Sequence, residues 1–349
     1  MPRAARSSGR FLALAFAWAA AGTATTAPAQ VAPQKSALAQ GPAHWLQRMN
    51  QALTTRNYDG TFSHWQGGRV EMLRIIHRVQ DGVVSERLAS LDGSGREFIR
   101  RGSSISCYLP DRRTVLVEQR PREEPLVGFP TFSDQMAGFY DVREVGRTRL
   151  NRHDTHVITV SPRDEYRYGY RLWIDDATAM PLKTQLCDAH GEIIEQVVFA
   201  SLSMPARIPD AAFRPEVSTE GYAWQRNDAP LPPAPAGAAA PAWNAIRLPP
   251  GFRMTVRRAQ LLPGSASPAD HLVFSDGLAS VSVFVETRPA GADEAPVTET
   301  TAVGSSSAFS TVVDGHKITA VGEVPPATVQ FIATQVQAQE SAPSGWKRH

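Results

Sequence analysis

Between residues 61 and 202 the chain reverses direction about every ten residues. Apolar and alternating runs at 61–66, 69–79, 83–91, 96–101, 105–109 and 114–119 are followed by others at 141–145, 147–151, 156–161, 168–175, 181–188 and 192–202. Tight punctuation such as Asp92-Gly93-Ser94-Gly95 and Pro110-Asp111 separates several of them, and residues of that kind close hairpins. About a dozen strands in roughly 160 residues leave no room for the long crossovers that parallel pairing needs. The expected product is one large, curved antiparallel sheet in a mainly β, α+β molecule.

Two helical segments interrupt the pattern. One starts at Pro42 and lines up Trp45, Leu46, Met49, Ala52 and Leu53 at helical spacing. The other, a short helix after Pro130 and Ser133-Asp134, carries Met136, Phe139 and Tyr140. Two helices are too few to cover both faces of a parallel sheet, but they suffice for the concave face of a curved one.

The texture changes after Phe213. Residues 230–242 are almost entirely Pro and Ala, which favours an extended spacer over a packed core. A linker is therefore expected at 218–242, between a large domain at 42–217 and a small α+β domain at 243–336. Strands of the second are read at 252–261, 271–275, 279–286, 307–313 and 316–321. Asp276-Gly277 and Asp314-Gly315 serve as turns, and Pro325-Pro326 opens a helix striped by Val329, Ile332, Ala333 and Val336. The tail after Gln337 is expected to fray.

The first 29 residues read as an export signal. Arg3, Arg6 and Arg10 precede an uncharged run from Phe11 to Ala21, and Ala27-Pro28-Ala29 supplies a small-x-small cleavage site. That run is far shorter than the ~20 residues that span a bilayer. A soluble, exported protein beginning near Gln30 is expected. The whole chain carries 36 Lys+Arg against 34 Asp+Glu, and the leader removes three arginines and no acid. A near-neutral balance argues against a nucleic-acid partner.

The sequence offers no recognisable catalytic or metal-binding constellation. His153 and His156 sit three apart on a strand, which sends them to opposite faces. His64 and His77 read as lone structural histidines. Asp175-Asp176 and Glu123-Glu124 read as turn and surface acids, and no Gly-x-Ser-x-Gly elbow occurs. The arginine clusters at Arg100-Arg101, Arg112-Arg113, Arg120 with Arg122 and Arg147/Arg149/Arg152 are balanced by acids: residues 41–217 hold 23 of each sign. That parity favours solvated strand faces over an anion-binding rim. Cys107 and Cys187 form a disulfide if their strands lie close, and stay as free buried thiols if they do not. Strand order decides between the two.

The sum of several short runs is more specific than any one of them. They are Phe132-Ser133-Asp134 to Tyr140-Asp141, Val145 to Leu150, Arg167-Tyr168-Gly169-Tyr170-Arg171-Leu172-Trp173-Ile174-Asp175, Met180-Pro181-Leu182-Lys183 and Asp188 to Glu192. In the second half come Leu248-Pro249-Pro250-Gly251-Phe252, Phe274-Ser275-Asp276-Gly277-Leu278 and Val321-Gly322-Glu323-Val324-Pro325-Pro326. In this order they resemble the RseB/MucB family of periplasmic regulators of the envelope-stress sigma factor. The resemblance implies an unclosed β-barrel with helices on its concave side, similar to the lipoprotein carriers LolA and LolB, followed by a small domain. It implies a non-enzymatic negative regulator without a cofactor. Such a protein would bind the periplasmic region of a membrane anti-sigma factor, shield it from proteolysis, and let go on sensing lipid or lipopolysaccharide; the alternative is a periplasmic lipid or lipoprotein carrier without a signalling role, which needs no second domain. On that basis the candidate lipid-binding residues are Trp45, Leu46, Met49, Leu53, Met136, Phe139 and Tyr140, with Arg147 and Arg149 at an anionic headgroup. The candidate partner-binding residues are Val281, Phe284, Phe309, Phe331 and Ile332.

Overall fold

The computed structural model describes residues 41–119, 126–127, 130–226, 242–262, 265, 267–287 and 298–339. The expected signal peptide and most of the Ala/Pro spacer lie outside them. The first meander runs β1 (Tyr58–Gln66), β2 (Arg69–Gln80), β3 (Val83–Ser90), β4 (Glu97–Arg101), β5 (Ser104–Leu109) and β6 (Thr114–Gln119). The second runs β7 (Tyr140–Leu150), β8 (His153–Pro162), β9 (Gly169–Asp175), β10 (Pro181–Cys187) and β11 (Ile193–Ser203). Pairing of β1 with β11 joins them into one sheet. One end strand of that sheet is β7. The other is β12 (Ala223–Arg226), which pairs in parallel with β6. Two details differ from the sequence reading. The runs at 141–145 and 147–151 are one strand, β7, bent by a bulge between Glu144 and Gly146. Residues 223–226 fall in the expected spacer yet pair as β12.

Helix α1 (Pro42–Thr55) buries Ala43, Leu46, Met49 and Ala52. It touches β2 on one side and β7 and β8 on the other. In the sheet order β2 and β7 stand six strands apart, about 29 Å on a flat sheet at ~4.8 Å per strand. A helix of 14 residues is only about 21 Å long. Contact with both requires the sheet to curl around α1. The concave core holds Leu46, Met49, Phe62, Ile75, Phe132, Met136, Tyr140, Leu172, Ile174 and Phe199. Strand alternation sends Ile76 to the other face, where it joins Ile99, Tyr108, Val115, Ile208 and Phe213 in a second cluster.

The small domain opens with β13 (Ala242–Ala245). It then builds an antiparallel sheet from β14 (Arg253–Leu261), β15 (Pro268–Ser275), β16 (Ser280–Thr287), β17 (Glu299–Val303), β18 (Ser306–Val313) and β19 (His316–Gly322). Helix α2 (Pro326–Gln335) packs on β18 and β19. The chain then continues as β20 (Val336–Gln339), paired with β13. The tail is therefore ordered through Gln339, because β13 supplies the backbone partners that an isolated terminus lacks.

One open alternative closes and one expectation changes. Cys107 and Cys187 are free. They sit on β5 and β10, also six strands apart, so no bridge can form along the sheet. Burial pushes both thiols above their ordinary pKa. The arginines are not all solvated: Arg87 is buried on Glu97 at 2.8 Å and Arg100 is buried near Glu86.

Candidate functional site at the domain junction

Two of the places where the large sheet and the small domain meet are of opposite character. The first is built on Arg167, in the loop before β9, whose side chain is fully buried. Its Nη1 donates to Asp276 Oδ2 at 2.8 Å, Nη2 donates to the Pro250 carbonyl, and Nε lies 3.0 Å from Asp164. The guanidinium also faces the rings of Phe139, Tyr140 and Phe252 at 5.0, 5.4 and 5.2 Å. Asp276 is saturated: Oδ2 also accepts from the Tyr140 hydroxyl at 3.1 Å, and Oδ1 accepts from the Leu278 and Ala279 amides. Burial, then the Asp276 charge, raises the Tyr140 phenol far above its usual range. Gly251 has φ +83°, and a Cβ there would lie 2.4 Å from the Phe139 ring. The runs quoted above from the two halves of the sequence therefore close on each other, through Phe139, Tyr140 and Arg167 on one side and Pro250, Gly251, Phe252 and Asp276 on the other.

The second place is an apolar cavity of about 210 Å³ on the concave face. Period-2 alternation places its lining. Strand β1 turns Phe62, His64 and Gln66 to one side, β10 turns Thr184 and Leu186, and β11 turns Glu195 and Val197. Leu73, Leu88 and Tyr170 extend the apolar wall, and Leu126, Val127 and Pro130 cross it. Along β1 and β11 the lining passes from apolar to polar. There His64 Nε2 lies 2.9 Å from Glu195 Oε1, while Gln66 and Ser305 both donate to Glu195 Oε2 at 3.0 and 2.9 Å. Ser305 belongs to the small domain, as does Glu323, which is exposed at the mouth. Gln66 also donates to Ser305 Oγ at 3.1 Å, and a Cβ on Gly304, at φ +60°, would meet the Gln66 side chain.

Charges at this end are coupled. The hydrogen bond to Glu195 raises the His64 pKa despite burial. Glu195 is lowered: burial opposes ionisation, and bonds from His64, Ser305 and Gln66 outweigh it. Although Glu323 reaches solvent at the mouth, partial desolvation of its carboxyl, then the Glu195 charge, raises it. Thr184 is buried, and among the described residues its Oγ1 has no hydrogen-bond partner.

The sequence-based candidates fall elsewhere. Leu46, Met49, Met136 and Tyr140 are closed core, with Trp45, Leu53 and Phe139 packed against it. None of the seven lines the apolar cavity. Trp45 stacks on His156 at 3.7 Å, and that ring is held between Glu144 and Asp176 at 2.8 and 2.7 Å. His153 bonds Asp175 instead. Arg147 and Arg149 are exposed on β7 and border a different, shallow hollow with Asp154 and Asp176. In the small domain Val281, Phe309 and Ile332 are core and cannot contact a partner directly. Phe284 stacks on His271, and Phe331 packs on Tyr166 of the large domain. Nothing in the sequence marks Thr184, Glu195 or Glu323, and His64 reads as structural: the first two and His64 are ordinary strand residues, and Glu323 sits in the bend after β19, until the fold sets them side by side. Among the described residues no cluster of His, Cys, Asp and Glu could hold a metal ion, and no helix is long and apolar enough to cross a membrane.

Comparison with known proteins matches residues 41–217 to the MucB/RseB N-terminal domain and 237–337 to the MucB/RseB C-terminal domain. The chain belongs to the MucB/RseB family. The sigma factor AlgU regulatory protein MucB of Pseudomonas aeruginosa is 31% identical over 300 residues, covering 85% of this chain and 91% of that one. The sigma-E factor regulatory protein RseB of Escherichia coli K12 is 31% identical over 297 residues, covering 84% and 89%. The complex structure of P. aeruginosa MucA/MucB superposes with a TM-score of 0.66 at 27% identity, covering 85% of this chain and 99% of that one. Membership in the MucB/RseB family places the protein in the periplasm, among regulators rather than enzymes.

Proposed function

We propose that this protein is a negative regulator of an extracytoplasmic stress sigma-factor pathway. It binds the periplasmic region of a membrane-spanning anti-sigma factor, shields it from proteolysis, and is released when lipid or lipopolysaccharide enters the large domain. The observation that carries the partner assignment is the likeness, across both domains, to a MucB solved together with MucA. Lipid control is supported by the apolar cavity, whose mouth is shared by the two domains. An amphiphile seated there touches both, so it can favour one arrangement of the pair over another. Partner binding falls mainly to the small domain, through its exposed strand surfaces rather than its buried Val281, Phe309 and Ile332. The mature chain should be retained by the immobilised periplasmic segment of the anti-sigma factor and should slow cleavage of that segment by a site-one protease. A fragment ending at residue 217 should not be retained. Absence of retention of the full chain overturns the proposal, and full retention of the fragment overturns its placement on the small domain.

A further inference from the structure

The convex face of the large sheet is built in two unlike halves. Over one half the segment after β11 lies on it, where Ile208 and Phe213 pack with Ile76, Ile99 and Val115. Over β1, β11, β10 and β9 the same face joins none of the three described apolar cores. Strand alternation turns Trp65, Arg171, Trp173 and Lys183 outward there, because their chain neighbours His64, Leu172 and Thr184 point to the concave side. Register then sets them in two adjacent rows. One runs Met72, Ser63, Val198, Lys183 and Trp173 across the sheet, and the other Val70, Trp65, Gln196, Gln185 and Arg171. Neither row contains an acid.

The chemistry of this patch is aromatic, aliphatic and cationic. The Lys183 ammonium lies 4.5 Å from the centre of the Trp173 ring. Burial, then the like charge of Arg171, lowers the Lys183 pKa, so the two cations lie close enough to repel. Val70 is 64% exposed and Met72 36%, and both tryptophans are half-exposed. Trp65 and Trp173 stand three strands apart, about 14 Å at ~4.8 Å per strand, which makes a broad surface rather than a point site. Arg171, Trp173 and Lys183 belong to the short runs that carry the family resemblance, yet no core packing occupies them.

The shape of the patch selects its occupant. All four strands are interior to the sheet, so their backbone groups are already paired and a peptide cannot add as a further strand. A convex face offers no groove for a helix. A bilayer surface fits, since tryptophan settles at headgroup level and lysine and arginine meet anionic lipid. We propose that the convex face of β1, β11, β10 and β9 rests on a bilayer bearing anionic headgroups. Trp65 and Trp173 are the interfacial anchors, and Arg171 and Lys183 meet the headgroups. The apolar cavity lies on the other side of the same strands and stays open.

The test is co-sedimentation of the mature protein with vesicles of phosphatidylcholine, alone or with a minor share of phosphatidylglycerol, free of lipopolysaccharide and at low salt. The anionic vesicles should bind at least about tenfold more tightly, and added salt should erase the difference. Arg171→Glu and Lys183→Glu should each weaken binding by about fivefold or more. Arg112→Glu reverses an exposed charge between β5 and β6 and should leave binding within about twofold, which separates the patch from net charge. Brominated lipid should quench the tryptophan emission of the unaltered protein, and quench that of Trp173→Phe less. Leu73→Trp, which fills the apolar cavity, should leave vesicle binding unchanged. The proposal is overturned by binding to neither vesicle, by equal binding to both, or by equal losses in Arg112→Glu and Lys183→Glu. Binding that falls in Leu73→Trp at an unchanged melting temperature also overturns it, since the contact would then run through the cavity.

Discussion

The two contacts between the large sheet and the small domain differ in how completely they are satisfied. At Arg167 every oxygen of Asp276 is bonded, three aromatic rings close around the guanidinium, and both charged side chains are excluded from solvent. At Glu195 the bonds come from the half-buried Gln66 and His64 and the buried Ser305, beside an open cavity. A buried carboxylate with both oxygens paired has one good arrangement, and losing a partner is costly. A half-open site can be rearranged at little cost. The first contact is the closed one, and the second is the one that the proposed lipid would touch.

Breaking the first contact should give the largest effect. Arg167→Ala leaves Asp276 charged and buried, which should destabilise the folded chain by about 3–5 kcal/mol in urea unfolding. Replacing the pair by Arg167→Met with Asp276→Asn keeps an acceptor for the Leu278 and Ala279 amides and removes both charges. The double variant should recover more than half of that loss, and a double variant no more stable than Arg167→Ala would show that packing, not charge, dominates there.

Glycines on the two sides sharpen the same contrast. Both Gly251 and Gly304 hold positive φ, so alanine is strained at each. Gly251→Ala must also displace the Phe139 ring, which Arg167 walls in, and should cost about 2–3 kcal/mol. Gly304→Ala meets only the end of the Gln66 side chain and should cost about 1 kcal/mol. Equal losses of melting temperature would erase the distinction between a rigid and a yielding contact.

A smaller effect is expected from pH. His64 is raised above its ordinary 6.5, so its pairing stabilises the fold below that value, and the contribution is lost as pH rises through the folded pKa. Glu195 is lowered below its ordinary 4.5, so its contribution is present above that value and is lost as pH falls through the folded pKa. The pair is therefore most favourable between about 4.5 and 6.5. His64→Gln should destabilise by less than about 1 kcal/mol near pH 5.5 and by still less at pH 8, as read from paired denaturation curves. A difference that grows with pH would contradict the pairing. The smallest effect should come from reductant, which should leave the melting temperature unchanged. Two thiols per chain should label after unfolding, and fewer would contradict the strand order.

Much of the architecture was legible in the sequence, for reasons visible in particular segments. Turn residues and alternation located most strands, since both act within a few residues. The α1 stripe of Leu46, Met49 and Ala52 was correct because helical spacing is local. Strand β17 was missed because Glu299–Val303 is exposed throughout and carries no burial pattern. Strand β12 was missed because its pairing with β6 is distant in sequence. The candidate lipid residues lie off the apolar cavity for a related reason: apolar spacing reports that a side chain is buried, and does not distinguish a closed core from the wall of a cavity.

The sequence by itself determined an antiparallel sheet of short-turn strands, a second α+β domain, and a set of short runs specific enough to indicate the family. Local propensity, periodicity and turn chemistry are sufficient for the sheet and the second domain; the family rests on the resemblance of the ordered runs. Only the tertiary structure decided that Cys107 and Cys187 sit six strands apart, that Arg167 meets Asp276, and that His64, Thr184, Glu195 and Glu323 surround one cavity. Each of these depends on which strands become neighbours and in what register. Those choices are made by packing between segments more than a hundred residues apart, as for Arg167 and Asp276, and no window of sequence contains both partners.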